Sequence, residues 1–253
     1  MTTSSLHVRE FGTAGVPLVL IGSLGSSIKM WLPQLDHFSA SRRVIAVDLR
    51  GHGKSEIIPG STTMAELADD VLAAVDAPVF DVMGLSLGGG IAQQIALSSP
   101  ERVRRLVLVS TAPKFGESEA WTQKAADVRA GKLDELSQGT IERWFSPGWL
   151  QSHPASREYW RAMVADSPAE GYAAACTALA AFDTRELLQT IDKPTLVVAG
   201  TQDTSTPPEV VKQLADGIPE AQYHEFNPAA HLLNIERAEE FNSLVEEFLG
   251  EGS

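Results

Sequence analysis

The run Val79-Phe80-Asp81-Val82-Met83-Gly84-Leu85-Ser86-Leu87-Gly88-Gly89-Gly90 decides how this chain folds. Residues 79–84 form a short apolar segment of strand character, and an Ala/Ile/Gln-rich helical run begins after the glycines. Between them, Gly84-Leu85-Ser86-Leu87-Gly88 matches Gly-x-Ser-x-Gly at a tight strand-to-helix turn, the setting that gives the pattern its meaning. Gly84 and Gly88 let the backbone close without Cβ clashes, so the Ser86 hydroxyl projects from the sheet. Gly89 and Gly90 let the following helix lie close to the strands. A glycine-rich turn with an incidental serine would show the same five letters, so the reading needs partners elsewhere in the chain.

Similar β-rich runs lie outward of this turn at 16–21, 44–47, 106–110, 195–199 and 222–226. Most are continuously apolar and not alternating, as strands covered on both faces must be, which indicates a parallel sheet. Helical patterns separate them. Residues 64–75 follow a capping box of Thr63 and Glu66, and 208–217 open on a proline suited to a first turn. Strand and helix in alternation predict an α/β fold with a mostly parallel, doubly wound sheet. The rhythm breaks over 117–183, where Ala, Arg, Glu and Trp fill helical patterns interrupted by Pro147, Pro154 and Pro168. We read residues 1–116 and 184–253 as the core domain and 117–183 as an inserted helical cap. The acidic stretch 236–251 reads as one amphipathic terminal helix.

With 33 acidic against 20 basic residues the chain carries a formal charge of −13. That charge repels phosphate backbones and anionic lipid, so neither nucleic acid nor a membrane is an expected partner. The N-terminal residues show no leader pattern, and no stretch is apolar enough to span a bilayer. The lone cysteine, Cys176, rules out an internal disulfide or a multi-cysteine metal site and suits a reducing, cytoplasmic compartment. Lying in an Ala-rich helical stretch, it reads as a small buried apolar residue.

A serine hydroxyl becomes a nucleophile only when a base takes its proton, and that base needs a third group to orient it. On sheets of this kind the partners follow in the order acid, then histidine. Asp203 comes after the 195–199 strand through Gly200-Thr201-Gln202, and His231 lies in the loop between the last strand and the last helix. The other histidines do not meet this requirement: His7 belongs to an N-terminal strand, His37 to a helix, His153 to the cap and His224 to the last strand. His52 precedes Ser86 in a turn-rich loop whose shape it is read to hold. Backbone N–H groups of Leu24, in Gly22-Ser23-Leu24-Gly25, and of Leu87 are the candidate donors to an oxyanion.

The serine turn, the Asp-x-Arg-Gly-x-Gly-x-Ser loop at Asp48 to Ser55, the strand-terminal acid and the late histidine together resemble the α/β-hydrolase superfamily along essentially the whole chain. A narrower likeness is to 3-oxoadipate enol-lactonases. It is carried by Ser23-Leu24-Gly25, by Glu142-Arg143-Trp144-Phe145-Ser146-Pro147, by Gly171-Tyr172-Ala173-Ala174, by Gly200-Thr201-Gln202-Asp203-Thr204-Ser205-Thr206-Pro207 and by His231-Leu232-Leu233-Asn234-Ile235-Glu236-Arg237. That family more often has His where Gln202 stands and Ser where Ala230 stands, departures that leave Ser86, Asp203 and His231 untouched. The resemblance implies a serine esterase that needs no metal or organic cofactor and opens a small carboxylated enol-lactone to 3-oxoadipate in bacterial aromatic-acid catabolism. A carboxylesterase or lactonase of other specificity is the alternative within enzymes. Outside them, the alternative is a small-molecule receptor of the same fold with slow turnover. An anionic substrate approaching so acidic a protein needs a local cation, for which Lys114 and Arg143 are the candidates, each of which reads equally well as a surface charge. Trp144 is a candidate to close the pocket over the substrate, or else packs lid to core.

Overall fold

The computed structural model describes residues 5–250. Residues 1–4, on which the leader reading rests in part, and Glu251 at the end of the expected terminal helix lie outside the described residues. Seven strands form one sheet: β1 (Val8–Phe11), β2 (Leu18–Ile21), β3 (Val44–Val47), β4 (Phe80–Leu85), β5 (Val103–Val109), β6 (Thr195–Gly200) and β7 (Gln222–Phe226). Their order is β1-β3-β2-β4-β5-β6-β7, with β1 antiparallel to β3 and every other pair parallel. All residues of β2, β3, β4 and β6 are buried, which accounts for their unbroken apolar sequences. The β2 ladder begins at Leu18 and not at residue 16, because Pro17 has no N–H to donate. Strand β5 begins earlier than its apolar run, and within it the Arg104 side chain pairs with buried Asp81 at 2.6 Å.

Eleven helices surround or extend this sheet: α1 (Leu32–Phe38), α2 (Met64–Ala74), α3 (Leu87–Ser98), α4 (Ser118–Arg129), α5 (Leu133–Trp144), α6 (Pro147–Ser152), α7 (Pro154–Ala165), α8 (Ala169–Ala181), α9 (Pro208–Gly217), α10 (Leu233–Glu236) and α11 (Ala238–Gly250), counted among the described residues. The step from β2 to β3 runs one way across the sheet, and the steps from β3 to β4 and β4 to β5 run the other way. Right-handed crossovers then put α1 on one face and α2 and α3 on the opposite one. The contacts agree, since α1 packs on α11 and α2 packs on α3. The Thr63–Glu66 capping box forms in both directions. The expected single helix over 236–251 is split: the backbone at Arg237 (φ −126°, ψ 42°) separates α10 from α11, and Glu236 turns inward instead of joining a solvated face. Among the described residues no helix is long and apolar enough to cross a membrane.

Helices α4–α8 occupy the interval between β5 and β6 without contributing a strand. A backbone bridge between Lys114 and Asp183 draws the two stems of this segment together. The segment rests on the Asp48–Ser55 loop, which is held rigidly: the Asp48 carboxylate accepts from Ile28 N (2.7 Å), Lys54 N (3.0 Å) and His7 Nδ1 (2.9 Å), and Arg50 forms a two-point pair with Asp70 at 2.6 and 2.8 Å. His52 is 1% exposed and its Nδ1 lies 3.0 Å from the Arg50 carbonyl, a contact internal to the loop. The loop meets α8 backbone to backbone, so a Cβ on Gly171 would collide with the Gly51 carbonyl and Cα. Alanine is the better helix former by about 1 kcal/mol. Gly171→Ala is nevertheless expected to destabilise the protein by about 1–3 kcal/mol in urea denaturation, because the overlap outweighs the propensity gain.

Candidate active site

Strand β2 lies between β3 and β4, so the chain leaves it toward one face of the sheet and leaves β4 toward the other. A crevice opens between the two departures at the carboxyl ends of the strands. Ser86 stands on the β4 side of that crevice, at the N-cap of α3, with φ 57° and ψ −118°. A non-glycine residue is strained there by about 1–3 kcal/mol and persists only if its surroundings enforce it. Ser86 N donates to Val109 O at 3.0 Å, and Thr111 Oγ1 donates to Ser86 O at 2.7 Å. Steric limits do the rest. A Cβ at Gly84 would strike the Gly88 carbonyl, and one at Gly88 would strike the Ile21 carbonyl of β2.

Asp203 and His231 reach the same edge from β6 and β7. The Asp203 carboxylate is saturated: it accepts from Ser205 N (2.8 Å), Thr206 N (3.1 Å), Thr206 Oγ1 (2.8 Å) and His231 Nδ1 (2.8 Å). Both side chains are buried. An ionised carboxylate can only accept, so the shared proton sits on Nδ1 and the lone pair of the ring on Nε2. The loop bearing His231 is held against the acid loop by Gln202 N donating to Ala229 O at 2.8 Å.

Ser86 and His231 line one cavity of ≈ 60 Å³, roofed by α4, α5 and α8. Ser23, Leu24 and Ser205 contribute from the sheet side, and Trp121, Lys124, Thr140, Arg143, Trp144 and Tyr172 from the cap. Neither the Leu24 N–H nor the Leu87 N–H has an acceptor among the described residues, so both remain available to a ligand oxygen. Of the residues singled out from sequence, Ser86, Leu24, Arg143, Trp144 and His231 thus meet at one cavity, with Asp203 behind His231 and Leu87 next to Ser86. Lys114 does not join them. Its Nζ faces Glu117 at 3.7 Å at the neck of the cap, because the bridge to Asp183 fixes its backbone there. Larger surface grooves of ≈ 350 Å³ and ≈ 380 Å³ include none of Ser86, Asp203 and His231, so chemistry and not size singles out the smaller cavity.

Lys124, Trp121 and Thr140 are cavity residues that the sequence did not reveal, and Lys124 is the one that carries a charge. On a cap helix a lysine reads as a solvated charge; the available signal was its i,i+3 spacing from Trp121, which puts both on one helix face. Its ammonium lies 4.7 Å from the centre of the Trp121 ring. Burial, and then the positive charge of Arg143, hold Lys124 below the usual lysine range, with a small opposing effect from Cys176. Neither Lys124 nor Arg143 is paired with a carboxylate among the described residues, and no Asp or Glu lines the cavity. The Cys176 thiol is pushed up to about 12 by burial and is therefore protonated and inert, in keeping with its place in the core. No group of three or more His, Cys, Asp or Glu among the described residues could hold a metal ion.

A switch-point crevice, a serine on a strained strand-to-helix turn and an acid-held histidine after the last strand define a class of protein: the chain belongs to the alpha/beta hydrolase fold family, whose sequence pattern matches residues 16–238. Within it, the chain is 37% identical over 246 residues to 3-oxoadipate enol-lactonase 2 of Acinetobacter baylyi, covering 96% of this chain and 92% of that one. Among solved structures it is similar to the enol-lactonase from Burkholderia xenovorans (34% identity, TM-score 0.94, 98% of this chain and 97% of that one). It is also similar to a thermophilic esterase from Thermogutta terrifontis with malate bound (30% identity, TM-score 0.90, 97% and 93%).

The tautomer argument can be tested without a substrate. Wild-type protein should show a low-field, slowly exchanging His231 Nδ1–H resonance in proton NMR. Asp203→Asn should abolish it while leaving the fold intact, since an amide N–H facing Nδ1 drives the proton to Nε2, a change that costs about 10⁴ in kcat in serine hydrolases.

Proposed function

We propose that this protein is a serine-type hydrolase that opens a small enol-lactone carrying a free carboxylate, with 3-oxoadipate enol-lactone as its substrate. The observation that carries this reading is the placement of Lys124 and Arg143, two cations without an acidic partner, in the same small cavity as Ser86 and His231. Two partly buried cations that share a cavity lined by no Asp or Glu favour an anionic ligand between them. The protein as a whole is strongly acidic, so this local reversal of sign is what would admit an anion at all. The enol-lactonase relatives, and the malate held by the related esterase, are consistent with a small carboxylate-bearing ligand. The cavity's size favours a compact ring over a long acyl chain.

In this mechanism His231 Nε2 takes the proton of Ser86 Oγ as the oxygen attacks the lactone carbonyl. The N–H groups of Leu24 and Leu87 receive the negative charge that develops on the carbonyl oxygen. Collapse of the tetrahedral intermediate breaks the ring C–O bond, leaving Ser86 acylated and an enolate that takes up the proton held by His231. Water, deprotonated by His231, then attacks the acyl carbonyl, and Ser86 leaves as the proton returns to it. Asp203 keeps Nδ1 protonated throughout and stabilises the imidazolium. Lys124 and Arg143 hold the free carboxylate, and Trp144 closes the ring in. On this reading the enzyme serves aromatic-acid breakdown in the cytoplasm.

Loss of enol-lactone absorbance measures the reaction directly, and Ser86→Ala should lower kcat by on the order of 10⁴–10⁶. Equal rates in the two proteins would refute the mechanism. Lys124→Met should raise KM for the carboxylated lactone roughly 10–100-fold while leaving a neutral ester almost unchanged, because one charge-assisted hydrogen bond contributes about 1.5–3 kcal/mol. Lys114→Ala should not discriminate between the two substrates. A strong preference for neutral esters in the wild type would favour an esterase of other specificity.

The lowered pKa of Lys124 has a definite sign. Its ammonium exists below that pKa, so KM for the carboxylated lactone should rise with increasing pH before the range in which an ordinary lysine titrates. The rise should be missing with a neutral ester and flattened in Lys124→Arg.

A further inference from the structure

The loop that carries His231 is fastened to the cap on both sides of the histidine. Ala230 N donates to Glu236 Oε1 at 3.0 Å, and Leu232 N donates to the Trp144 carbonyl at 2.8 Å. The Glu236 carboxylate also accepts from the cap, with Oε1 taking Ser146 N at 2.9 Å and Oε2 taking Ser146 Oγ at 2.5 Å. Three donors thus converge on Glu236, and no Lys or Arg pairs with it among the described residues. A carboxylate held only by hydrogen-bond donors from two separate segments is a mechanical tie, with no ion pair to explain its position. The cap segment it grips is the short extended link from Trp144 to Ser146 between α5 and α6, and Trp144 itself roofs the cavity. The inward turn of Glu236 arises because α10 ends at Arg237.

We propose that Glu236 is a positioning residue that locks the base and the roof of the site into one unit: through Ala230 and Ser146 it holds His231 in register with Ser86 only while the Trp144–Ser146 strap of the cap is seated. This rests on the reading of Ser86 and His231 as nucleophile and base. It explains why a glutamate five residues after the histidine belongs to the working site although it does not line the cavity. A histidine displaced by about 1 Å can cost on the order of 100-fold in rate. Loss of the tie therefore appears in kcat, and appears for any substrate regardless of its charge.

The test uses the full chain with p-nitrophenyl acetate as a neutral probe and the carboxylated enol-lactone as the second substrate. Glu236→Ala should lower kcat by about 10–100-fold for both substrates with little change in KM, at a temperature where urea titration shows the protein folded. Glu236→Gln should stay within about threefold of wild type, since its Oε1 still accepts both backbone N–H groups and its amide can donate to Ser146 Oγ. The tie can also be cut from the cap side. Ser146 (φ −63°, ψ 148°) follows an extended Phe145, so Ser146→Pro fits the backbone while removing both donors to Glu236; it also removes the Oγ that accepts from Trp149 N at the start of α6, so its folding is checked by the same urea titration. It should reproduce the Glu236→Ala loss, and the double variant should be no worse than either single one.

A folded Glu236→Ala with wild-type kcat would overturn the proposal. So would a Glu236→Gln as impaired as the alanine variant, or effects that multiply in the double variant. Should Glu236→Ala not fold, the kcat of Ser146→Pro decides alone. Failure of the underlying reading looks different: Ser86→Ala would then match wild type, whereas an inactive Ser86→Ala beside a fully active Glu236→Ala removes only the role given to Glu236.

Discussion

Helix α3 approaches β2 and β4 so closely that a methyl group on Gly84 or Gly88 would overlap backbone atoms of Gly88 or Ile21. The strained backbone of Ser86 is a consequence of that approach, stabilised by a sheet bond to Val109 and by the Thr111 hydroxyl. Because β2 and β4–β7 run parallel, their following loops all open at one edge. Leu24, Ser86, Asp203 and His231 therefore converge although nearly the whole chain separates the first from the last. Relaxing the approach of α3 would lower Ser86 toward the sheet and remove the centre on which the other three are arranged.

The cap works on different terms. Its helices meet the core through a few specific contacts: the backbone approach of Gly51 to Gly171, the Lys114–Asp183 bridge at its neck, and the Ser146–Glu236 tie beside His231. These contacts place α4 and α5 so that Lys124 and Arg143 line the cavity together with the cap aromatics Trp121, Trp144 and Tyr172. Both cations are partly buried, and desolvation of Lys124 holds its ammonium below the usual lysine range, so a charge placed in the cavity is screened less than one on the open surface. The acidic exterior and the basic cavity oppose one another, and the cavity prevails at short range because it lies within a Debye length of anything bound there.

Much of the fold was legible along the chain. Continuous apolar runs marked the buried parallel strands, the Thr63–Glu66 pair marked the start of α2, and the elbow glycines marked where α3 meets the sheet. Two boundaries moved for different reasons: Pro17, lacking an N–H, shortened β2, and the pairing of Arg104 with Asp81 accommodates a charged stretch at the start of β5. Strand β1 pairs antiparallel at the edge, where its half-exposed residues left only a weak apolar pattern.

For the candidate site, Ser86, Asp203 and His231 could be found from sequence because each follows a strand, and a parallel sheet delivers every such loop to the same edge. Their identity and order were determined by the chain alone. Which cation faces the cavity was not. Lys114 and Lys124 are both lysines bordering or within the cap, and only the packing of α4 on α8 shows that one faces Glu117 while the other lines the cavity together with Arg143. Glu236 was likewise read as part of a solvated helix until the break at Arg237 turned it toward Ser146. The physical reason is the same in both cases. Sheet periodicity is a local property that is written into each strand, whereas the surroundings of a charged side chain are set by the distant segments that pack around it, and that is decided only when those segments come together.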